Sequence, residues 1–263
     1  VDLPARGGQA SRLPVTLNGR AVQVQGALSS PPFGYEPYLR VNGVYYPGSL
    51  GGLLTDDGSG VSLGAVPVAG ARVARRIFAP SQAPWVRFAE IVENPGDAPL
   101  VVDLWVQGNQ PRPAAATSSG DARATVADRW VAGSAQGGLP ALGFVFGGTS
   151  GGDGPQVVSF DPPGGLIYGY RYGWRVTLEP GAKAAYLHYL VDGSALPADE
   201  LARTASSLAA LTAPGALEGL DAEVLALVRN FPPATMVVPF ASAGEGAVIA
   251  VPPQQAPEPA TAA

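Results

Sequence analysis

The chain contains no cysteine, which excludes a disulfide framework and every thiolate site. It contains a single histidine, His188, so a metal site built from several imidazoles is excluded and a carboxylate-only ion site is the remaining option. Charge is scarce: charged residues make up 14% and the net charge is −5, with no basic block. Nucleic-acid binding needs clustered cations that displace counterions, so no nucleic-acid partner is expected. Of the 16 basic residues only Lys183 is lysine; with so much alanine, glycine and proline, this composition looks like that of a GC-rich bacterial genome. No apolar run approaches a membrane span, and no charged segment followed by an apolar one marks a leader. With Val1 rather than Met at the start, the reading is a mature, exported bacterial protein at the cell surface or outside the cell. Phosphate-cradling Gly-Lys loops are also lacking.

What is present is 35 glycines, 27 prolines and 46% hydrophobic residues, too apolar for a disordered chain. Asn18-Gly19 in "VTLNGRAVQV" and Asn42-Gly43 in "YLRVNGVYY" each predict a hairpin, because both central residues of a type I′ turn need positive φ. Short strand-like runs follow: 71–78, 84–93, 99–107, 122–131, 141–147, 155–160, 166–176 and 184–192. Turn phrases such as "NPGDA" (Pro95-Gly96) and "LEPGAK" (Pro180-Gly181) separate them. Many short strands divided by Gly/Pro turns predict a sandwich or barrel.

The period changes after Asp192. "LPADELARTASSLAAL" (196–211) carries Leu201, Ala205 and Leu208 at helical spacing, with Asp199 and Glu200 in its first turn. "LEGLDAEVLALVRNF" (217–231) repeats the pattern, with Asp221 as a cap for a late start and Pro232-Pro233 as its stop. "TMVVPFA" and "GAVIAVP" read as two further short strands. The expected organisation is one all-β domain over 1–251, a large antiparallel β-sandwich with a small helical insertion at 196–231. A Pro/Ala-rich tail follows at 252–263.

The stretch "RRIFAPSQAPWVRFAEIVENPGDAPLVVDLWV", with "SSGDARATVADRWV" and "VTLEPGAKAAYLHYLV", resembles the large, supersandwich-type β-sandwich domains of secreted bacterial multidomain surface proteins. The resemblance covers roughly the middle half of the chain. It implies a fold and an extracellular setting; its motifs are strand and turn phrases, and it carries over no active-site residue.

Catalytic candidates are few. "GTSGG" (148–152) matches G-x-S-x-G, but "DGPQVV" follows where a nucleophile elbow needs a helix. Glu90, Glu93, Asp103, Asp128 and Glu179 are the carboxylates from which a glycosidase pair would come. Glu90 and Asp103 lie on consecutive predicted strands and could face each other, although a solvated face or pairing with Arg87 or Arg129 is the simpler reading. The acidic loops "TDDGSG" (55–60) and "SGGDGP" (150–155) lack the spacing of a calcium loop. No cofactor or metal is implied, and the chain is expected not to be an enzyme.

Candidate carbohydrate or interface contacts are Tyr168, Tyr170, Tyr172 and Trp174, which share one strand face in "LIYGYRYGWRV", and Asp128 with Trp130 in "ADRWV". In "ADRWV" a sugar would stack on Trp130 and hydrogen-bond Asp128, against the simpler reading of a packed Trp. For the aromatic row, a wall of the core is favoured, then a subunit interface, then a sugar platform. The main functional expectation is a structural surface protein, a filament or array subunit joined to copies of itself or to other surface components through strand-like ends. The alternative is a carbohydrate-binding module, free or attached to a secreted glycan-active enzyme.

Overall fold

The computed structural model describes residues 15–17, 20–22, 37–48, 52–54, 58–110, 112–135, 138–149, 151–160 and 169–231. Tyr168, the strand-like segments after Pro233 and the tail at 252–263 lie outside them. So do the Asn18-Gly19 turn, Ser150 and residues 55–57. β1 (Val15–Leu17) and β2 (Arg20–Val22) pair with each other. The remaining strands are β3 (Tyr38–Val41), β4 (Val44–Tyr45), β5 (Gly52–Leu54), β6 (Gly60–Val68), β7 (Ala71–Phe78), β8 (Trp85–Glu93) and β9 (Leu100–Gly108). After them come β10 (Ala114–Thr117), β11 (Trp130–Gly133), β12 (Leu142–Val145), β13 (Val157–Phe160), β14 (Tyr170–Leu178) and β15 (Lys183–Asp192).

They form two antiparallel sheets, ordered β10-β11-β12-β15-β8-β7-β6-β5 and β13-β14-β9-β3-β4. The predicted all-β antiparallel sandwich is therefore the observed fold. Alternation along each strand supplies the core between the sheets. Val102, Leu104 and Val106 of β9 and Tyr170, Tyr172 and Trp174 of β14 meet Val86, Phe88, Phe144, Phe146, Tyr186 and Leu190 of the larger sheet and the strand ends beside it.

Turn chemistry sets the registers. Asn42 (φ 48°) and Gly43 (φ 80°) close the β3–β4 hairpin with Val41 opposite Val44. Asn42 also extends the ladder to β9, accepting the Asp103 N–H on its Oδ1 at 2.8 Å and donating its own N–H to the Asp103 carbonyl at 2.9 Å. Gly181 (φ 72°) occupies the left-handed position of the β14–β15 turn, as the Pro-Gly pair predicts. Gly96 is different. Its φ is not positive, and its N–H instead donates to Asn94 Oδ1 at 3.0 Å, an Asx-type closure.

Two expectations change in detail. The predicted strand 122–131 is a loop up to Arg129, with β11 starting only at Trp130, because Asp128 hydrogen-bonds within the loop rather than lying on a ladder. Strands β6 and β10 carry no obvious strand signal. β6 contains Gly64 and Pro67, and its hairpin to β7 turns at Ala69-Gly70 (φ 48° and 87°) without Asn or Asp.

The helical insertion forms α1 (Ala198–Ala209) and α2 (Ala222–Leu227), which cover the outer face of the larger sheet. Leu201, Ala205 and Leu208 of α1 and Val224 and Leu225 of α2 bury against Trp85, Ala89, Val145, Leu187, Tyr189 and Val191. Asp221 caps α2, its Oδ1 accepting the Val224 N–H at 2.8 Å. Beyond α2, Asn230 takes the place of a strand neighbour: it accepts the Leu187 N–H at 2.9 Å and donates to the carbonyls of Leu187 (2.6 Å) and Phe146 (3.0 Å). The larger sheet thus has a core on each face.

Trp174 is 1% exposed and stacks on Tyr186 at 5.0 Å between ring centroids, yet its indole N–H has no acceptor among the described residues. Trp174→Ala is expected to lower unfolding stability by about 3–5 kcal/mol. Trp174→Phe is expected to cost distinctly less, because it keeps most of the apolar contact and deletes an unpaired buried donor. Urea denaturation of the three proteins measures both differences.

Candidate functional site

Two groupings of polar and aromatic side chains stand out, one inside the sandwich and one on its surface. The inner one is centred on Glu90. Arg75 and Glu90 are cross-strand partners on β7 and β8, and both side chains point into the core with no exposure. Arg75 donates from Nε to both carboxylate oxygens at 3.0 Å and from Nη2 to Oε1 at 2.7 Å. His188 on β15 places Nε2 2.9 Å from Glu90 Oε1, and Tyr172 on the opposite sheet places its hydroxyl 2.9 Å from His188 Nδ1.

Burial lowers the His188 pKa, against the opposing pull of Glu90, so the ring is neutral. A carboxylate can only accept, so Nε2 carries the proton and Nδ1 accepts from Tyr172. Burial also pushes the Tyr172 hydroxyl far above its usual range, keeping it a donor. For Glu90, burial acts to raise the pKa, but Arg75 and the hydrogen bonds from His188 and Arg75 together hold it below the ordinary carboxylate range.

This chain of bonds disposes of several expectations. Both nitrogens of His188 are engaged in the core, so it is not available to a serine in "GTSGG", whose Ser150 lies outside the described residues. Glu90 and Asp103 do not face each other. β8 and β9 belong to different sheets; Glu90 points inward and Asp103 outward, where Arg175 grips it with two bonds of 2.8 and 2.9 Å. Their partners are Arg75 and Arg175, not Arg87 or Arg129. Arg87 is buried under the helical layer, where it donates to the Ala216 carbonyl at 2.8 Å. Glu93 lies 3.8 Å from Arg72 and Glu179 is exposed in a turn. Asp153 of the second acidic loop accepts the Tyr186 hydroxyl at 3.0 Å.

Tyr170, Tyr172 and Trp174 form an inner wall, each at most 1% exposed. Asp128 is fully buried within its loop. Its Oδ1 accepts from Ser118 Oγ and the Ser119 N–H, and its Oδ2 from the N–H and hydroxyl of Thr125, at 2.8 to 3.1 Å. Burial works to raise its pKa, and these bonds bring the net shift below the usual value. Trp130 is half-buried against the helix-side core. The two do not join into one site.

The second grouping lies on the outer face of the five-stranded sheet, and sequence reasoning missed it. Register puts Val157, Gly173, Trp105, Arg40 and Tyr45 in one row across β13, β14, β9, β3 and β4. Arg171, Gln107 and Tyr38 form the adjacent row. The Arg40 guanidinium lies 3.9 Å from the Tyr45 ring centroid, and that of Arg171 lies 4.7 Å from the Trp105 ring. Tyr38 meets Tyr45 edge-on at 6.0 Å, and Gln107 donates to the Tyr45 hydroxyl at 3.3 Å.

Gly173 is required beneath this raft, because a Cβ there would lie 2.2 Å from the Leu104 carbonyl oxygen and 2.7 Å from the Trp105 ring. Tyr45 is 47% exposed, and Tyr38, Arg40, Trp105 and Arg171 are each half-buried. One signal was legible. Trp105 sits on the polar side of β9, between Asp103 and Gln107, where alternation puts solvent.

No family model matches the chain, and no curated protein matches it. Among solved structures it is similar to a polysaccharide lyase, at 13% identity and a TM-score of 0.40 over 75% of this chain and 34% of that one. It is also similar to a chain described as a kojibiose phosphorylase from the human microbiome, at 8% identity and a TM-score of 0.38 over 75% of this chain and 27% of that one. The chain therefore spans about a third or less of either protein. Both are named as enzymes, which corrects the expectation that this chain is not one: the structures it is similar to are parts of enzymes, and the exclusion of catalysis is withdrawn. Neither is named as a filament or array subunit. Among the described residues no helix is long and apolar enough to cross a membrane.

Acid is expected to destabilise the fold in two stages. His188 has a lowered folded pKa, so its contribution is complete above the unfolded value of about 6.5 and declines as pH falls below it. Glu90 is also lowered, so its contribution is lost further down, as pH falls through its folded value. Urea midpoints between pH 8 and 3 should fall in that order. Glu90→Gln should reduce the acid-range dependence and cost about 3–5 kcal/mol at neutral pH, because Arg75 is left buried without its counter-charge.

Proposed function

We propose that this β-sandwich is a carbohydrate-binding domain of an extracellular glycan-active protein, and that it takes its glycan on the outer face of the five-stranded sheet. The domain is taken to span residues 1–251, with the helical insertion as part of it. The observation that carries the reading is the raft of Tyr45, Arg40, Trp105, Arg171, Tyr38 and Gln107. A sugar has apolar C–H faces and a rim of hydroxyls. Tyrosine and tryptophan offer the matching combination of flat apolar area and polar edge, and arginine adds directional donors, while the buried Gln107 holds the Tyr45 hydroxyl in place.

The rings are held before any ligand arrives. Each guanidinium is stacked on a ring, Gln107 is bonded to Tyr45, and all the side chains stand on strands rather than on loops. Preorganisation of this kind reduces the side-chain entropy lost on binding. A flat sheet face suits an extended polymer better than a small molecule, which is usually taken into a concave pocket.

Affinity gel electrophoresis against a panel of soluble polysaccharides tests the proposal, followed by calorimetry with the polymers that retard the protein. Tyr45→Ala and Trp105→Ala are each expected to weaken binding by about 2 kcal/mol, roughly thirtyfold in Kd, with a melting transition close to that of the parent for Tyr45→Ala. If no polysaccharide retards the parent protein, or if both variants bind as well as it does, the proposal is wrong.

A further inference from the structure

We infer that the glycan taken by this face is neutral and stacks on Tyr45, with Arg40 as a positioning residue beneath the ring; the inference rests on the carbohydrate reading above and adds its substrate class. Among the described residues Tyr45 is the one aromatic side chain with a large exposed area, at 47%. The indole of Trp105 is half-buried and has the Arg171 guanidinium over it at 4.7 Å. The open ring of the raft is therefore that of Tyr45.

Three neighbours hold this ring. Arg40 is its cross-strand partner, with the guanidinium carbon 3.9 Å from the ring centroid. The Arg40 Nε is buried although Tyr45 is exposed, so the ring lies above the guanidinium and turns its other face outward. Gln107 is buried and donates to the Tyr45 hydroxyl from β9 at 3.3 Å, and Tyr38 meets the ring edge-on at 6.0 Å. The ring is thus fixed at its hydroxyl, at one edge and on one face, and one face is open. A pyranose with its axial C–H groups turned down matches a flat, fixed, apolar surface of this kind.

The charges of the sheet are engaged within it. Its five strands carry three guanidinium groups and one carboxylate. Arg175 holds both oxygens of Asp103 at 2.8 and 2.9 Å. Arg171 is laid on Trp105, and Arg40 is laid against Tyr45 with its Nη1 donating to the Gly43 carbonyl at 3.4 Å. Each guanidinium already has a carboxylate or a ring against it. The chain as a whole carries a net charge of −5, which repels a polyanion at long range. A polyuronate or sulfated polymer brings charge into that field along its whole length. A neutral polymer gains the stack on Tyr45 without the repulsion.

The test uses the full chain with hydroxyethylcellulose, mixed-linkage β-glucan, glucomannan and pullulan as neutral polymers, and polygalacturonate, alginate, hyaluronate and dextran sulfate as anionic ones. Affinity is measured at low salt and at about 0.5 M NaCl, where ionic contacts are screened. At least one neutral polymer is expected to bind about tenfold or more tightly than every anionic one, with a Kd that changes by less than about twofold between the two salt levels. Arg40→Met keeps a long side chain beneath the ring and removes the charge; it should stay within about threefold of the parent, whereas Arg40→Ala, which removes the support, should lose about tenfold.

Tighter binding of an anionic polymer, or affinity that falls steeply as salt rises, overturns the inference, while the carbohydrate reading stands if Tyr45→Ala still abolishes that binding. Equal losses for Arg40→Met and Arg40→Ala, at melting temperatures close to that of the parent, overturn the positioning role, because charge and not support is then what the ligand needs. If none of the polymers binds, this inference and the carbohydrate reading fall together. The salt dependence of the parent protein decides neutrality even where a variant fails to fold.

Discussion

The buried carboxylate of Glu90 is the constraint around which the sandwich is arranged. An ionised group without exposure is tolerable only if it is paired and its remaining lone pairs are filled. Here Arg75 supplies the counter-charge from the neighbouring strand, and His188 adds a further bond from the strand on the other side. Tyr172 completes the chain from the opposite sheet. Each partner is correct in only one register of its strand. A one-residue slip of β7 or β15 would turn Arg75 or His188 to the other face and leave Glu90 without that partner in the core, and a slip of β8 would turn Glu90 itself away from both. The network therefore favours one alignment of three adjacent strands and one placement of the second sheet over them. Packing of Phe88 flat against His188, 4.8 Å between centroids, closes the site to water.

The same alternation that builds the core builds the surface raft. β14 sends Tyr170, Tyr172 and Trp174 inward and Arg171, Gly173 and Arg175 outward; β9 sends Val102, Leu104 and Val106 inward and Asp103, Trp105 and Gln107 outward. The two strands contact along their full length, so the rigid inner wall supports the outer raft directly beneath it. The glycine on β14 gives Trp105 room to lie low against the sheet. A side chain there would lift the indole away from the surface and separate it from Arg171. Rigidity comes from the core, and the outer face is left free to vary in chemistry.

The helical layer addresses a different problem. The larger sheet is apolar on both faces, with Trp85, Ala89, Leu187 and Val191 directed away from the sandwich interior. Left open, that face would be a large exposed apolar patch. α1 and α2 cover it. Two polar residues anchor the segment: Arg87 and the Tyr189 hydroxyl both donate to the Ala216 carbonyl, while Asn230 fills the stretch of β15 that β12 does not reach.

The local pattern by itself determined most of the strands, the Asn42-Gly43 and Pro180-Gly181 turns, the stripe of α1 and the capping role of Asp221. These depend on period and on backbone preferences within a few residues, which the order of amino acids encodes directly. Alternation also placed Tyr170, Tyr172 and Trp174 on one face. It could not say whether Glu90 and Asp103, on consecutive strands, share a sheet, because a turn such as "NPGDA" serves equally to form a hairpin or to cross between sheets. Nor could it show Asp128 as the centre of a loop, since its partners lie up to ten positions away. The tertiary structure alone decided the two groupings that matter. Glu90, Arg75, His188 and Tyr172, like Tyr45, Arg40, Trp105 and Arg171, come from distant segments, and cross-strand neighbours are set by strand order and register, which are properties of the assembled sheets rather than of any one stretch of chain.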